Sequence, residues 1–166
     1  MPHAVVNNRV HVIFSTKGRQ KLIPEDAQAR LWAFMGGIAR KNGFTAVAVG
    51  GTYDHAHALL AIPATMPLAK AVQLIKGGSS KWCNENLPRR FAWQEGYAAL
   101  SVSASHKDAV VRYIHEQKEH HANEPTRMNY FSCYGRVGSL LMPMKCLDEF
   151  PTVLPDWIML ATVTQR

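Results

Sequence analysis

The sequence predicts one α+β domain in which helices cover one face of an antiparallel sheet. Three observations lead to this class: short apolar runs with alternating side chains, longer stretches with helical spacing, and the order in which they follow each other. A chain of 166 residues, 47% of them hydrophobic, has the usual size of one domain and can bury a full core.

The first half of the chain predicts a strand, a helix and two further strands. Residues 8–15 alternate and are rich in Val, Ile and Phe, which is typical of a strand. A helix begins at residues 24–26, where proline precedes two acids, and ends near Asn42-Gly43. Residues 44–49 form the second strand. Residues 50–54 then make a tight connection into the third strand, so the second and third strands form a hairpin.

The second half predicts a helix, a fourth strand and then a further helix. The third strand contains the apolar run 59–62. The second helix starts at Met66-Pro67, with Gly77-Gly78-Ser79-Ser80 near its end, and a polar loop follows over residues 84–90. Residues 91–103 contain the fourth strand, and the last helix comes next. This order is the split βαβ pattern of ferredoxin-like (RRM-like) folds, so we expect one sheet face to be left for a ligand or a second subunit.

Two histidines stand at the start of the third strand. Residues two apart share a face of a strand, so His55 and His57 point the same way. Two imidazoles on one rigid strand supply two nitrogen ligands for a metal ion. The alternative is a pair of polar residues at an exposed strand start, so the metal interpretation needs a partner elsewhere in the chain.

The last helix carries a tyrosine and a carboxamide on its inward face. Its helical spacing places five residues on that face: Val110, Tyr113, Ile114, Gln117 and His121. A buried glutamine needs hydrogen-bond partners, and leucine would pack better in an ordinary core. The alternative is an amphipathic helix with the tyrosine at its edge.

Together these stretches resemble one family. His55-Ala56-His57 matches the His-hydrophobic-His motif of the HUH nucleases. Tyr113-x-x-x-Gln117 resembles the nucleophile helix of the small single-tyrosine transposases, the TnpA type of insertion sequences and REP-associated elements. Residues 11–17 and 91–97 are similar to the same family, so the resemblance covers roughly residues 8–122. The HUH motif alone is weak, whereas the ordered set of motifs is specific.

The resemblance implies a metal-assisted transposase that cuts and rejoins single-stranded DNA at element ends. It makes Tyr113 the nucleophile, which forms a 5′-phosphotyrosine intermediate. It makes His55, His57 and Gln117 the metal ligands, and nitrogen and oxygen donors without a thiolate suit Mg²⁺ or Mn²⁺. It also implies binding of a DNA hairpin, and a homodimer in which the histidine pair of one subunit meets the tyrosine helix of the other.

Other assignments stay open at this point. Tyr53 and Tyr97 are rival nucleophiles, and Tyr113 is favoured because it alone has Gln four residues later. His121 shares the face of Gln117 and is a further candidate ligand, with His120 beside it. The alternative function is a non-catalytic hairpin nucleic-acid-binding protein of the same fold, or an unrelated metal phosphoesterase.

The net charge of the chain is +7. Residues 1–124 hold 15 basic against 9 acidic side chains, so most of the excess lies on the part with the motifs. A basic surface attracts polyanions. Four basic residues are candidate DNA contacts: Lys17, Arg19, Lys76 and Lys81.

The remaining features concern location and domain division. The three cysteines are widely spaced, which argues against a disulfide scaffold. No apolar run reaches 18 residues and the start lacks a signal-peptide pattern, so a cytoplasmic protein without a membrane span is expected. Residues 1–124 are predicted as a single HUH transposase domain. Residues 125–166, with four of the nine prolines and no clear period, are predicted as an irregular tail.

Overall fold

The computed structural model describes residues 8–117 and has the predicted α+β architecture. Short 3-10 turns follow the first strand and precede the last helix. The regular elements are β1 (Arg9–Ser15), α1 (Glu25–Lys41), β2 (Thr45–Gly51), β3 (His55–Ala61), α2 (Leu68–Asn86), β4 (Ala98–Ser101) and α3 (Lys107–His115). Within this part of the chain, no helix combines the length and the hydropathy that crossing a membrane requires.

The four strands form one antiparallel sheet in the order β2-β3-β1-β4. This order confirms the ferredoxin-like fold that the succession of elements predicted. In the central pair, Ile13 lies opposite His57 and Ser15 lies opposite His55. The register therefore places alternate side chains of β1 beside the two histidines.

The hydrophobic core lies between one face of this sheet and helices α1 and α2. Val12 and Phe14 of β1 and Leu60 of β3 project into it, and all three are buried. A fully buried side chain of this kind contributes about 1.5–3 kcal/mol through its removal from water. The helices contribute Leu31, Met35, Ala39, Val72, Ile75 and Cys83.

The opposite face of the same strands carries the histidines and receives the last helix. His11 and His57 lie on it, and α3 contacts strands β2 and β3 there. Because side chains alternate along each strand, the core and the histidine face are built from neighbouring residues of the same two strands. A rigid core on one side thus fixes the positions of the histidines on the other.

Helix α2 runs further than the sequence predicted. Its Gly77-Gly78-Ser79-Ser80 segment does not lie near its end, because the helix continues to Asn86. At Gly78 helix α1 comes so close that an added Cβ would lie 2.7 Å from Cδ1 of Ile38. The buried Ser79 hydroxyl donates to the Ile75 carbonyl at 2.6 Å. Close helix packing therefore offsets the poor helix propensity of the glycines.

Residues 93–97 (Trp-Gln-Glu-Gly-Tyr) belong to the stretch predicted to contain the fourth strand, but they are mostly a loop that leads into a short β4. The ammonium of Lys76 donates to the carbonyl oxygens of Gln94 and Gly96, each at 2.7 Å. Gly96 also has a φ of 77°, which a strand residue does not adopt. Carbonyls turned toward Lys76 cannot join a strand ladder, and this explains the late start of β4.

Some predictions concern residues outside the described range. They are the roles of His120 and His121, the boundary after residue 124 and the irregular tail over residues 125–166.

Candidate functional site

His55 and His57 lie side by side on the sheet face that α3 covers. Their ring centroids are 5.1 Å apart and their planes are inclined by 74°. Their exposed fractions are 1% and 0%, so the alternative of two polar residues at an exposed strand start is wrong. Buried imidazoles require specific partners, and each of the two rings has a different one.

His55 is held by a carboxylate. Its Nδ1 lies 2.6 Å from Oδ1 of Asp54 and 3.1 Å from the Thr52 hydroxyl, while Arg19 reaches the other carboxylate oxygen at 3.5 Å. Burial alone would raise the pKa of Asp54, but the hydrogen bond and charge of His55, together with Arg19, lower it to about 2. Asp54 is therefore ionised and fixes the His55 ring through Nδ1. A metal bond from this ring would come from Nε2, which is buried.

His57 is held by a third histidine that the sequence analysis gave no role. Nε2 of His11 on β1 lies 3.0 Å from Nδ1 of His57, and the rings are stacked with centroids 5.1 Å apart. Burial lowers the pKa of His11 to about 4, so this ring is neutral at pH 7. The sequence does show His11 as a polar residue within an apolar strand. It does not show that His57 is its partner, because that depends on the register between β1 and β3.

Tyr113 of α3 lies against the histidines of its own chain. Its ring centroid is 5.6 Å from that of His57 and 6.2 Å from that of His11, both in edge-to-face orientation. The rivals lie elsewhere: Tyr53 is 44% exposed, and Tyr97 packs against the core on the far side of the sheet. Of these tyrosines, the fold brings Tyr113 to the histidine pair.

A glycine in β2 allows α3 to dock this closely. A Cβ added to Gly50 would collide with the backbone carbonyl oxygen of Ile114. Val110 and Ile114 are buried beneath the helix, as their predicted position on the inward face requires, whereas His115 is exposed. The close approach of helix backbone to strand sets the height of Tyr113 above the sheet.

Gln117 follows the end of α3 and is 1% exposed, which agrees with its predicted inward position. Its Nε2 donates to the carbonyl oxygen of Tyr113 at 3.1 Å, so the amide is tied to the same turn as the tyrosine. Its role as a metal ligand stays a prediction.

His55 and His57 supply two of the ligands that a divalent metal ion needs. Across residues 8–117, no three His, Cys, Asp or Glu side chains form a group that could hold a metal ion. A metal at His55 and His57 would therefore take its other ligands from a carboxamide, a phosphate or water. Two imidazoles with oxygen donors are compatible with Mn²⁺ or Mg²⁺, and Gln117 offers the carboxamide.

The four predicted DNA contacts have different surroundings. Lys17 is exposed on the turn after β1. Arg19 binds Asp54, and Lys76 binds the two loop carbonyls described above, so both stabilise the fold around the site. Lys81 has a side chain that is 78% exposed, and it lies on α2, whose helical layer covers the opposite sheet face. Lys17 is thus the exposed candidate that follows the end of β1 paired with His55.

Comparisons with known proteins agree with this architecture. The family model described as "Transposase IS200 like" matches residues 4–117. A solved structure described as a "putative transposase" from Deinococcus radiodurans R1 is 24% identical, with a TM-score of 0.58, and the match covers 70% of this chain and 95% of that one. A structure of a REP-associated tyrosine transposase bound to a REP hairpin is 15% identical, with a TM-score of 0.54 and coverage of 75% and 78%. At these identities the solved structures show the fold alone. No curated protein matches the chain significantly.

Proposed function

Because this chain belongs to the IS200-like transposase family, we propose that it cuts and rejoins single-stranded DNA with Tyr113 as the nucleophile. The observation that carries the proposal is the edge-to-face packing of Tyr113 on His57, since it brings a phenol to a pair of potential metal ligands. Strand β3 holds the two histidines, and the close docking of α3 brings Tyr113 to them.

The proposed reaction is a transesterification, in which a DNA phosphate passes from the 3′ oxygen to the Tyr113 oxygen. The Tyr113 oxygen forms a bond to phosphorus while the bond from phosphorus to the 3′ oxygen breaks. The phenol loses its proton, the leaving 3′ oxygen gains one, and the DNA is held as a 5′-phosphotyrosine. Attack by a 3′-OH on this ester reverses the step and joins a new strand without ATP. The hydrogen bond from Gln117 to the Tyr113 carbonyl holds the turn in place during both steps.

A divalent ion would be held by His55, His57 and Gln117 in this proposal. When bound, it would polarise the scissile phosphate and stabilise the leaving 3′ oxygen. The chain contributes the rigidity: Asp54 orients the His55 ring and His11 contacts the His57 ring. Ligands that are already oriented lose little freedom when the metal binds.

The proposed substrate is a single strand folded into a hairpin with a flanking tail. The related tyrosine transposase of known structure is bound to a REP hairpin, and this chain carries a net charge of +7. Phosphate contacts from basic side chains supply a large share of the affinity of proteins for DNA. The exposed Lys17 follows Thr16, whose hydroxyl donates to the Asp54 carbonyl at 3.1 Å, and we propose that it meets DNA near the site. We also propose that the protein meets this DNA in the cytoplasm.

The homodimer with a composite active site stays a prediction, because contacts within one chain do not test it. Here α3 folds back on its own sheet, so Tyr113 meets the His57 of the same chain. Gly50 explains this, since it lets the helix approach strand β2 of its own subunit. These contacts favour an active site assembled in cis, which we propose as the alternative to the composite site.

The test is a covalent adduct that survives SDS. Labelled hairpin DNA with a single-stranded tail is incubated with Mn²⁺ and wild-type protein, Tyr113→Phe or the matched control Tyr53→Phe. The wild type and the Tyr53 variant should form the adduct, while Tyr113→Phe should bind the DNA but form none. An adduct with Tyr113→Phe would move the nucleophile to another residue. Metal-independent binding without any adduct would favour the non-catalytic hairpin-binding function.

A further inference from the structure

His11 occupies a position that the proposed reaction does not use. It lies in β1, 1% exposed, two residues from Ile13, which is the direct cross-strand partner of His57. It is therefore a diagonal neighbour of His57 across the central strand pair, within reach for a ring contact. The observed contact joins Nε2 of His11 to Nδ1 of His57 at 3.0 Å.

We propose that His11 is a positioning residue, which accepts a hydrogen bond from Nδ1–H of His57 and thereby presents Nε2 of His57 to the divalent ion. The inference rests on the proposed metal-assisted function. A neutral imidazole carries one N–H and one lone pair. If Nε2 of His57 gives its lone pair to a metal, the proton must lie on Nδ1. The neighbouring nitrogen of His11 is then the acceptor, and the His57 ring is fixed in both tautomer and orientation.

The contacts of His11 indicate that it does not itself bind the metal ion. Its Nε2 points at a ring nitrogen of His57. Its Nδ1 is buried and has no hydrogen-bond partner among residues 8–117. No metal-binding group of three His, Cys, Asp or Glu side chains forms in the same range. His11 therefore acts through His57, as Asp54 acts through His55.

The two positioning groups, the Asp54 carboxylate and the His11 imidazole, differ in charge. Their different surroundings explain this difference. Asp54 immediately precedes β3, and its negative charge is balanced there by Arg19. His11 lies beneath the Tyr113 ring, where the DNA phosphate must come. A second carboxylate there would repel the phosphate and the phenolate that forms during attack. A neutral imidazole supplies the acceptor without adding negative charge.

The test measures Mn²⁺ affinity by calorimetry on the full chain without DNA, for the wild type and three variants. His11→Leu removes the acceptor, and loss of such an outer partner should weaken metal binding about tenfold to a hundredfold. His11→Gln keeps an acceptor oxygen near the place of Nε2 and should restore affinity to within several-fold of the wild type. Val12→Ala, on the same strand but facing the core, is the control for general destabilisation and should bind Mn²⁺ like the wild type.

The outcomes separate this inference from the proposed function. Equal Mn²⁺ affinity in the wild type and His11→Leu would overturn the role of His11, even if the protein forms the DNA adduct. An equal loss in His11→Leu, His11→Gln and Val12→Ala would also overturn it, because it would show a merely structural effect. A loss in His11→Leu with rescue by Gln would support it, even if no DNA adduct is ever found. Absence of Mn²⁺ binding by the wild type would overturn both this inference and the metal site.

Discussion

Gly50 of β2 lies directly against the backbone carbonyl of Ile114 in α3, with no room for a Cβ between them. This contact joins the two halves of the candidate site. The hairpin that contains Gly50 leads to the two histidines, and the turn that contains Ile114 carries Tyr113. The distance between phenol and imidazole is thus set by a contact of backbone with backbone, which adjusts less easily than one between side chains.

A methyl group at Gly50 should separate the two halves. Gly50→Ala should lower the free energy of unfolding by about 1–3 kcal/mol, as overpacking does, and should reduce the DNA adduct strongly because Tyr113 is pushed from His57. Gly77→Ala is the matched control: an added Cβ there meets nothing within 4 Å, and it lies inside α2. It should be neutral or stabilise by up to about 1 kcal/mol. Urea denaturation and adduct yield measure both effects. Equal behaviour of the two variants would refute the tight contact.

Removal of the Asp54 charge should weaken metal binding. Asp54→Asn keeps the size of the side chain but loses the carboxylate that accepts from Nδ1 of His55 and pairs with Arg19. A tenfold to hundredfold loss of Mn²⁺ affinity, roughly, is the expected cost of such an outer partner. Glu85→Gln is the control, since its ion pair with Lys81 is exposed and contributes little. Mn²⁺ calorimetry that gives the same affinity for Asp54→Asn and Glu85→Gln would contradict the role of Asp54.

Mixing two inactive variants tests whether the site is assembled within one chain. One variant combines His55→Ala with His57→Ala, and the other is Tyr113→Phe. With the observed contact of Tyr113 to its own His57, every chain in the mixture carries a defect in its own site, so no DNA cleavage should return. Recovery of cleavage near half of the wild-type level per heterodimer would instead show a composite site between subunits. Differently tagged variants purified together establish that heterodimers are present.

Lys17 and Lys81 should differ in their contribution to DNA binding. Lys17→Ala should weaken hairpin binding for all sequences and reduce the salt slope of the affinity by about 1, because Lys17 is exposed at the histidine end of β1. Lys81→Ala should have little effect, since α2 covers the opposite sheet face. Fluorescence anisotropy at several salt concentrations measures both variants. A larger effect of Lys81→Ala would place the DNA on the helical layer.

The thiol of Cys83 should react slowly in the native protein. Burial raises the pKa of Cys83 to about 12, so at pH 8 even fewer thiolates exist than in an ordinary cysteine. Iodoacetamide should therefore modify Cys83 in the native protein at least about a hundredfold more slowly than in the urea-unfolded chain. Peptide mapping by mass spectrometry follows this residue separately from the other cysteines. Rapid native labelling would mean that α2 ends before Cys83, as the glycine-rich segment had suggested.

Local periodicity was enough to predict one half of the site. A period of two places His55 and His57 on one face, and a period near four places Tyr113 one turn from Gln117. These relationships depend only on neighbours in the sequence. The burial of the histidines and of Gln117 agrees with them.

The rest depends on contacts between distant residues. His11 meets His57 because β1 and β3 pair in one particular register, and 46 positions separate them in the chain. The contact of Lys76 with two loop carbonyls likewise depends on the fold, and its predicted role as a DNA contact stays a prediction. The extent of α2 is set by the packing at Gly78, which overrides the local preference of glycine for ending a helix.

The separation of the histidines from the tyrosine along the chain has a consequence for the order of synthesis. His57 precedes Tyr113 by 56 residues. At roughly 5–20 residues per second, the tyrosine leaves the decoding centre about 3 to 11 seconds after the histidine pair. A nascent chain thus contains both histidines of the proposed metal site well before the proposed nucleophile Tyr113 is synthesised. The proposed cleavage of DNA therefore has to wait until the last helix has emerged and packs against Gly50.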